Sequence, residues 1–336
     1  MSKLENTPAV CGAGIDEQTS EDANSKALLL MVSGGSDSMA MLEKFHDRPN
    51  CKVLHINHML RGKESDGDEQ FVRDACKRLN VPLEVRRIDV AALAAQGKSG
   101  MEAAAREARY KCADEVLDAW CAHLKLDPDN GIIYTAHTLD DRVETFFMRA
   151  LVGTGPGGFA SIPRVRGRIE RPLLDETREG LRNFLREQHP NMPDEKLWRE
   201  DSTNEDGSNF RSKIRIKLMP VLRELRPNFE PALARSMDLI AQEDEAQDAQ
   251  AMRILLLNVQ LKDSAVQLPC KIFNEISVPL ARRIIRKALL LVNDEARLES
   301  KQIERILQNY SKQNFCTEVD SGIKVKSDGT TLTMHK

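Results

Sequence analysis

Residues 28–38 read Leu-Leu-Leu-Met-Val-Ser-Gly-Gly-Ser-Asp-Ser, and this stretch decides the fold. Its five apolar residues end where two glycines begin, which predicts an inner strand of a parallel sheet followed by a tight loop. Residues 39–42, Met-Ala-Met-Leu, then favour a helix. The backbone N–H groups of the loop and the N-terminus of that helix should converge on one point, and such a point binds anions.

The side chains of this loop suit a nucleotide phosphate. Gly34 and Gly35 let the main chain approach an oxyanion closely, and the hydroxyls that can bind phosphate oxygens or cap the helix belong to Ser33, Ser36 and Ser38. Asp37 is an anion placed in an anion site, which is explained if Mg²⁺ lies between its carboxylate and the phosphates. A plain serine and glycine turn is the alternative. The run resembles the pyrophosphate loop of the N-type ATP pyrophosphatases, which split ATP between its α and β phosphates to adenylate a substrate.

Length and composition indicate a cytoplasmic protein with two domains. The 336 residues carry a net charge of -3, and the longest apolar runs are too short to span a bilayer, so no membrane contact is expected. The first 25 residues are polar and acidic, which predicts a disordered tail and no secretory signal. Seven cysteines without C-x-x-C spacing argue against a zinc ribbon or a redox pair. The sequence leaves open whether the chain forms a homodimer.

Strands and helices alternate along the first two thirds of the chain. After the first strand, apolar or alternating runs predict strands at 52–58, 82–90 and 131–136, with helical patterns between them. This order predicts an α/β domain over residues 26–218, a doubly wound parallel sheet covered by helices on both faces. Ligands bind at the carboxyl ends of the strands in such a sheet.

Residues 219–336 predict a second, smaller, mainly helical domain. Long charge-rich helices are expected from Leu222 to Asn258, and two more at 278–292 and 299–310. An Asp-Gly turn between alternating residues predicts a small β-hairpin near the end of the chain. A tRNA-binding role and a role in packing alone both remain open for this domain.

Two carboxylates follow the fourth predicted strand. Asp141 and Glu144 lie three residues apart on a predicted helix, so they share one face near the end of that strand. They could bind an ammonium group or help to free an amine for attack. The alternative is that acidic residues near a helix N-terminus only complement its dipole.

Basic residues supply candidate contacts for phosphate and RNA. Arg106 and Arg109 lie one turn apart on a predicted helix and could reach an adenylate phosphate or an RNA backbone, although exposed arginines often only solvate such a helix. Two further clusters are candidate phosphate contacts. They comprise Arg164, Arg166, Arg168 and Arg171, and Arg211, Lys213, Arg215, Lys217, Arg223 and Arg226.

Several blocks occur in one order along residues 26–226, and together they resemble the tRNA(Ile)-lysidine synthetase family. They are Ser33 to Ser38, His58 with Leu60-Arg61-Gly62, Glu102 to Tyr110, Ala136-His137 with Asp140-Asp141 and Glu144-Thr145, Gly153-Thr154-Gly155, Arg171-Pro172-Leu173-Leu174, and Asp201 with Thr203-Asn204. The resemblance implies a PP-loop ATPase domain of the adenine nucleotide alpha hydrolase-like fold. It also implies ligation of free lysine onto C2 of the wobble cytidine in the CAU anticodon of a minor isoleucine tRNA. ATP first adenylates the cytidine, pyrophosphate is released, and lysine then displaces AMP.

The resemblance implies a role for each block. Residues 33–38 bind ATP and Asp37 holds Mg²⁺. Asp141 and Glu144 bind or activate lysine, and Arg109 contacts the nucleotide or the adenylate. The residues expected to contact tRNA or another part of the substrates are His58, Arg61, Arg106, His137, Arg149, Arg171, Arg211 and Arg215.

Two departures from the family pattern concern the tRNA contacts. Val152 stands where the family usually has arginine, and Ser212 and Ile216 replace the asparagine and histidine of its Arg-Asn-x-Ile-Arg-His run. Residues 210–218 also alternate between basic and apolar like a strand, whereas the family suggests a helix. The competing functions are a tRNA thiolase of the same superfamily, disfavoured by the missing cysteine pairs, and a non-catalytic ATP-binding module.

Overall fold

A computed structural model describes residues 25–59, 62–90, 92, 101–200, 209–262 and 265–336. Its contacts divide the chain into two units: the first runs up to Thr154 and resumes at Ala160–Ser236, and the second comprises Gly155–Phe159 and Met237–Lys336. Residues 219–236 belong to the first unit in this division, and Arg223 pairs there with Asp140. The boundary after residue 218 stays a prediction. The predicted tail, apart from its last residue, lies outside the described residues. Within the described ranges, no helix is both long and apolar enough to cross a membrane.

Strands and helices alternate through most of the first unit. Their order is β1 (Ala27–Met31), α1 (Ser36–Phe45), β2 (Cys51–Asn57), α2 (Lys63–Arg78), β3 (Leu83–Arg87), α3 (Met101–Leu124), β4 (Gly131–Thr135), α4 (Leu139–Val152), β5 (Val165–Arg166), β6 (Ile169–Glu170) and α5 (Arg178–Gln188). The strand order in the sheet is β3-β2-β1-β4-β6-β5, and every pair is parallel except β5 with β6. The predicted doubly wound parallel sheet is therefore confirmed.

Strand β1 lies inside the sheet because it is apolar on both faces. Leu28 and Leu30 belong to a core with α1, α2 and α5, while Leu29 belongs to a second core with α3. At the start of β4, α3 packs so closely that a Cβ added to Gly131 would lie 2.7 Å from Leu117 Cγ. The helices thus cover both faces, and the polar residues that follow β1, β2 and β4 are gathered at one edge of the sheet.

After α5 the first unit continues in short helical segments. These are Asp194–Leu197, Phe210–Lys213, a π-helical turn at Ile214–Leu218, and Met219–Leu225. Residues 210–218 are therefore helical, as the family resemblance suggests, and are not a strand. The helical spacing brings Arg211 and Arg215 to the same carboxylate, Glu144.

The second unit combines helices with an antiparallel sheet. Its elements are Pro156–Phe159, the part of α6 (Glu230–Asn258) that follows Ser236, β7 (Gln260–Lys262), β8 (Ala265–Pro269), α7 (Val278–Val292), α8 (Ser300–Leu307), β9 (Gln313–Val319), β10 (Ile323–Asp328) and β11 (Thr331–His335). The sheet order is β7-β8-β11-β10-β9. Helices α7 and α8 pack on its apolar face, where Val325 and Leu332 are buried. Strands β10 and β11 form the hairpin expected from the Asp-Gly turn, and the other three strands were not predicted.

Candidate active site

The hydroxyl of Ser38 closes the loop that follows β1. Ser38 Oγ accepts hydrogen bonds from the N–H groups of Ser33 and Gly34, both at 3.2 Å, and donates to the carbonyl of Gly35 at 2.9 Å. Gly34 has a φ of 102°, which favours glycine. The loop therefore curls over the first turn of α1, where the helix dipole favours an anion.

Asp37 lies in that first turn and faces a cation from another element. Its Oδ2 accepts a hydrogen bond from Arg178 Nε at 3.1 Å, and its Oδ1 accepts one from Ser36 Oγ at 3.2 Å. Burial raises the pKa of Asp37 above its ordinary value, Arg178 opposes this rise, and the nearby Asp141 adds to it. A carboxylate in this position gains from any further cation that reaches it.

Asp141 combines a capping role with a charged role. Its Oδ2 accepts the N–H of Thr138 at 2.9 Å, which forms a capping box at the start of α4. Its Oδ1 accepts hydrogen bonds from Arg211 Nη2 at 2.9 Å and Arg178 Nη2 at 3.3 Å. Burial acts to raise the pKa of Asp141, but Arg211 and Arg178 outweigh it and hold that pKa below its ordinary value. Oδ2 thus has the capping role that is typical of an acidic residue at a helix N-terminus. That position does not explain the two arginine contacts of Oδ1.

Glu144 is the most buried carboxylate of the site, with a side chain 2% exposed. It accepts hydrogen bonds from Arg211 Nε at 2.9 Å and from Arg215 Nε at 2.7 Å and Nη2 at 3.0 Å. A buried carboxylate must be paired in this way, because an uncompensated charge would be costly. Both Asp141 and Glu144 are thus paired with arginines.

Arg178 is a site residue that the sequence analysis missed. It begins α5, and its guanidinium lies among Asp37, Asp141 and Glu144. A cation opposes the dipole at a helix N-terminus, so an arginine there indicates an electrostatic partner elsewhere. That signal was present in the sequence, since Thr177 precedes Arg178 and is a typical N-cap residue.

A cavity of about 510 Å³ opens at the carboxyl ends of β1, β2 and β4. Its size is within the range of small-molecule sites. Apolar residues at the strand ends, Met31 and Ile56, line part of it. The structure brings these predicted site residues together around the cavity: Ser33, Ser38, His58, Arg109, His137, Asp141 and Arg211.

Two of the three histidines that line the cavity, His58 and His137, have pKa values well below physiological pH. Burial lowers the pKa of His58 to about 4, with a further contribution from Arg109, and burial also lowers the pKa of His137 to about 4. His137 Nδ1 lies 3.0 Å from the hydroxyl of Thr135. These rings can exchange hydrogen bonds with a ligand but supply no positive charge, whereas Arg109 does.

Other predicted tRNA contacts do not line this cavity. Arg106 is exposed and its guanidinium lies 5.1 Å from the ring centroid of Tyr110. Arg149 donates to the carbonyl of Ser161 at 2.8 Å. Arg171 is 2% exposed and donates to the carbonyl of Pro163 at 2.7 Å, so its side chain holds two segments of the chain together. Among the residues that carry the family resemblance, those outside the described ranges are Leu60, Arg61, Asp201, Thr203 and Asn204.

Mg²⁺ would have to be shared between the protein and its ligand. Among the described residues, no group of three or more histidine, cysteine, aspartate or glutamate side chains could hold a metal ion by itself. Asp37 nevertheless fits the role, because Mg²⁺ is usually bound by one or two carboxylates together with substrate phosphates. Asp37 belongs to residues 33–38, the predicted phosphate-binding loop.

Comparison with known proteins identifies a family model and several relatives that match this sequence. A family model for the PP-loop domain matches residues 14–222. The tRNA(Ile)-lysidine synthase of Chlorobaculum tepidum is 34% identical over 275 residues, covering 80% of this chain and 79% of the relative. The enzymes of the same name from Clostridium acetobutylicum and Thermus thermophilus are 31% and 36% identical, covering 87% and 81% of this chain. This chain spans 62% and 50% of the length of those two relatives.

Proposed function

Because the chain belongs to the tRNA(Ile)-lysidine synthase family and contains its PP-loop domain, we propose that it ligates lysine to tRNA. The reaction joins the side-chain amine of free lysine to C2 of the wobble cytidine in a CAU anticodon of a minor isoleucine tRNA. ATP supplies the energy and leaves as AMP and pyrophosphate.

One observation supports this proposal above the others. The guanidinium of Arg178 lies within 3.9 Å of three carboxylates. One belongs to Asp37 of the predicted phosphate-binding loop, and the other two belong to the acidic pair, Asp141 and Glu144. A nucleotide held by the loop would therefore lie next to a group of carboxylates able to bind an amine. A ligase that joins an amine to an adenylated base needs that arrangement.

The first step would be adenylation of the cytidine C2 oxygen. Backbone N–H groups and hydroxyls of residues 33–38 would bind the phosphates of ATP. Asp37 would hold Mg²⁺, which would supply positive charge for the phosphates. Arg109, which lines the cavity beside the neutral His58, would contact the nucleotide or the adenylate.

The second step would be displacement of AMP by the amine of lysine. Asp141 and Glu144 would bind the ammonium group, and the proton lost before attack could pass to one of these carboxylates. Both carboxylates are already paired with Arg211, so the amine must share or replace those contacts. The arginines released in this exchange, Arg211 and Arg215, would become available for RNA phosphates.

The remaining assignments concern RNA. Arg106 is exposed next to Tyr110, a pairing that suits contact with a phosphate or a base. His58 and His137 would take part as neutral hydrogen-bonding groups, and Arg61 and Arg149 remain proposed contacts. Arg171 is the weakest of these assignments because its guanidinium is buried.

The proposal is tested by incorporation of labelled lysine into an isoleucine tRNA with a CAU anticodon, using purified protein, ATP and Mg²⁺. An elongator methionine tRNA, which shares the anticodon, is the control. Acid-stable label on the isoleucine tRNA alone is expected. Splitting of ATP to AMP in the presence of tRNA without bound lysine would favour a thiolase.

Pyrophosphate release by the variant Asp37→Ala distinguishes a ligase from a non-catalytic ATP-binding module. We expect this variant to lose pyrophosphate release by at least about 100-fold, since charge stabilisation at a reacting phosphate is worth several kcal/mol. Asp47→Ala, which changes an exposed aspartate beyond the end of α1, is the matched control. If wild-type protein released no pyrophosphate with any tRNA while still binding ATP, the sensor function would replace the ligase.

A further inference from the structure

Arg178 is anchored at both its backbone and its side chain. Its N–H donates to Asp140 Oδ2 at 2.7 Å, and Thr177 caps the helix that it begins. Asp140 in turn is fixed by Arg223 Nη2 at 2.9 Å. The Cα of Arg178 is therefore held beside the first turn of α4, close to Asp141.

The guanidinium of Arg178 contacts three carboxylates through three different nitrogens. Nε lies 3.1 Å from Asp37, Nη2 lies 3.3 Å from Asp141 and Nη1 lies 3.9 Å from Glu144. The side chain is only 23% exposed, so solvent screens these contacts incompletely. The guanidinium of Arg178 thus links Asp37 of the predicted phosphate-binding loop to the acidic pair, Asp141 and Glu144.

The same cation therefore compensates two sites that would bind different substrates. While it pairs with Asp141 and Glu144, it competes with any ammonium group that approaches them. If a metal ion and a triphosphate reach Asp37, the metal compensates the charge of Asp37 in place of Arg178, and the net negative charge of the metal-bound triphosphate attracts the guanidinium away from the acidic pair. Arginine suits this exchange because the donors of its planar group match the geometry of both carboxylate and phosphate.

We propose that Arg178 is a positioning residue that couples the nucleotide site to the lysine site, so that Mg²⁺ and ATP at Asp37 increase the affinity of Asp141 and Glu144 for lysine. This inference rests on the proposed function. The coupling is reciprocal, so lysine increases the affinity for the nucleotide by the same factor. Lysine would then bind mainly to enzyme that already holds ATP.

The experiment measures lysine binding by calorimetry with and without a nucleotide. The nucleotide is α,β-methylene-ATP with Mg²⁺, because its α–β bond cannot be split. Wild-type protein should bind lysine about tenfold more tightly in its presence, a typical coupling factor. Arg178→Met should bind lysine more tightly than wild type without nucleotide and show little further gain with it.

Two further variants separate coupling from a purely structural role. Arg186→Met changes an arginine of the same helix that pairs with Glu179 and Asp194, and it should keep the wild-type coupling. Arg178→Lys keeps the charge but cannot bridge three carboxylates, so its coupling should be reduced. Thermal unfolding of each variant controls for loss of fold.

The inference is overturned if wild-type lysine affinity does not respond to the nucleotide, or if Arg178→Met keeps the full response. In either case lysine still binds, and the proposed function is untouched. Failure of lysine to bind under every condition, with isoleucine tRNA included, would contradict the proposed function and this inference together.

Discussion

At the level of single residues, Glu144 has two possible roles, as part of a site that binds an amine or as part of an ion pair that only stabilises the fold. Its carboxylate is almost completely buried and is contacted by Arg211 and Arg215. A structural pair would only stabilise the segment that carries those arginines. An amine site would also change the apparent affinity for lysine when the charge is removed.

We therefore predict that Glu144→Gln raises the KM for lysine at least about tenfold and leaves the KM for ATP within about twofold, since one charged contact is worth on the order of 1.5 to 3 kcal/mol. Steady-state kinetics with either substrate varied will measure both constants. Glu179→Gln removes an exposed carboxylate paired with Arg186 and is the control. Equal increases in both constants would identify a general structural defect.

His137 gives the stability of the protein a dependence on pH. Its pKa falls from 6.5 to about 4 on folding because the ring is buried. The unfolded chain therefore binds a proton more readily than the folded protein between these values. The free energy of unfolding therefore decreases as the pH falls from 6.5 towards 4, because protons bind preferentially to the unfolded chain. Above pH 6.5 His137 causes no such loss.

From this shift we expect the free energy of unfolding to fall less in His137→Asn than in wild type when the pH is lowered from about 7 to about 5. The difference between the two falls should be up to about 2 kcal/mol. Urea unfolding at the two pH values measures the difference. Identical losses in the variant and the wild type would show that His137 has an ordinary pKa.

Residues of the site differed in how well the sequence could locate them. Asp37, Asp141 and Glu144 were predicted as site residues because each lies in a local run with a recognisable spacing after a strand. Arg178 was missed because its partner Asp37 is 141 residues away in the chain, and no local pattern reports such a pair. Only its unfavourable position at a helix N-terminus marked it.

At the level of elements, the junction of β1 and α1 depends on Ser38 more than on the other serines. The Ser38 hydroxyl accepts two backbone N–H groups and donates to one carbonyl, whereas Ser33 is exposed. The function of the loop should therefore be more sensitive to the loss of Ser38.

Ser38→Ala should lower the free energy of unfolding by about 1 to 3 kcal/mol, because it leaves buried backbone groups without partners. We also expect a higher KM for ATP, since the loop loses the bonds that fix its shape. Ser33→Ala should have a smaller effect on stability. Denaturant unfolding of the two variants compares them, and equal losses would contradict the role assigned to Ser38.

The two sheets show which elements a sequence can predict. The parallel sheet was predicted because its strands are apolar or alternating runs that lie between helical patterns. In the second sheet, β7 has three exposed residues and β9 is exposed at most positions, so neither carries a clear pattern. Residues 210–218 were ambiguous because a π-helical turn interrupts the regular helical period.

At the level of the whole molecule, the proposed chemistry requires three substrates to meet at one edge of the first sheet. The cavity at the ends of β1, β2 and β4 would hold the nucleotide, the acidic pair would hold lysine, and basic residues around it would hold RNA. The net charge of -3 shows that RNA affinity cannot come from overall charge, so it must come from local clusters.

The most direct test of the central claim is the chemical identity of the wobble nucleoside after the reaction. Isoleucine tRNA with a CAU anticodon is incubated with the protein, ATP, Mg²⁺ and lysine, then digested and analysed by mass spectrometry. We expect cytidine at the wobble position to be replaced by lysidine, in a change that requires ATP and is absent from elongator methionine tRNA. Unchanged cytidine, or a sulfur-containing base at that position, would contradict this expectation.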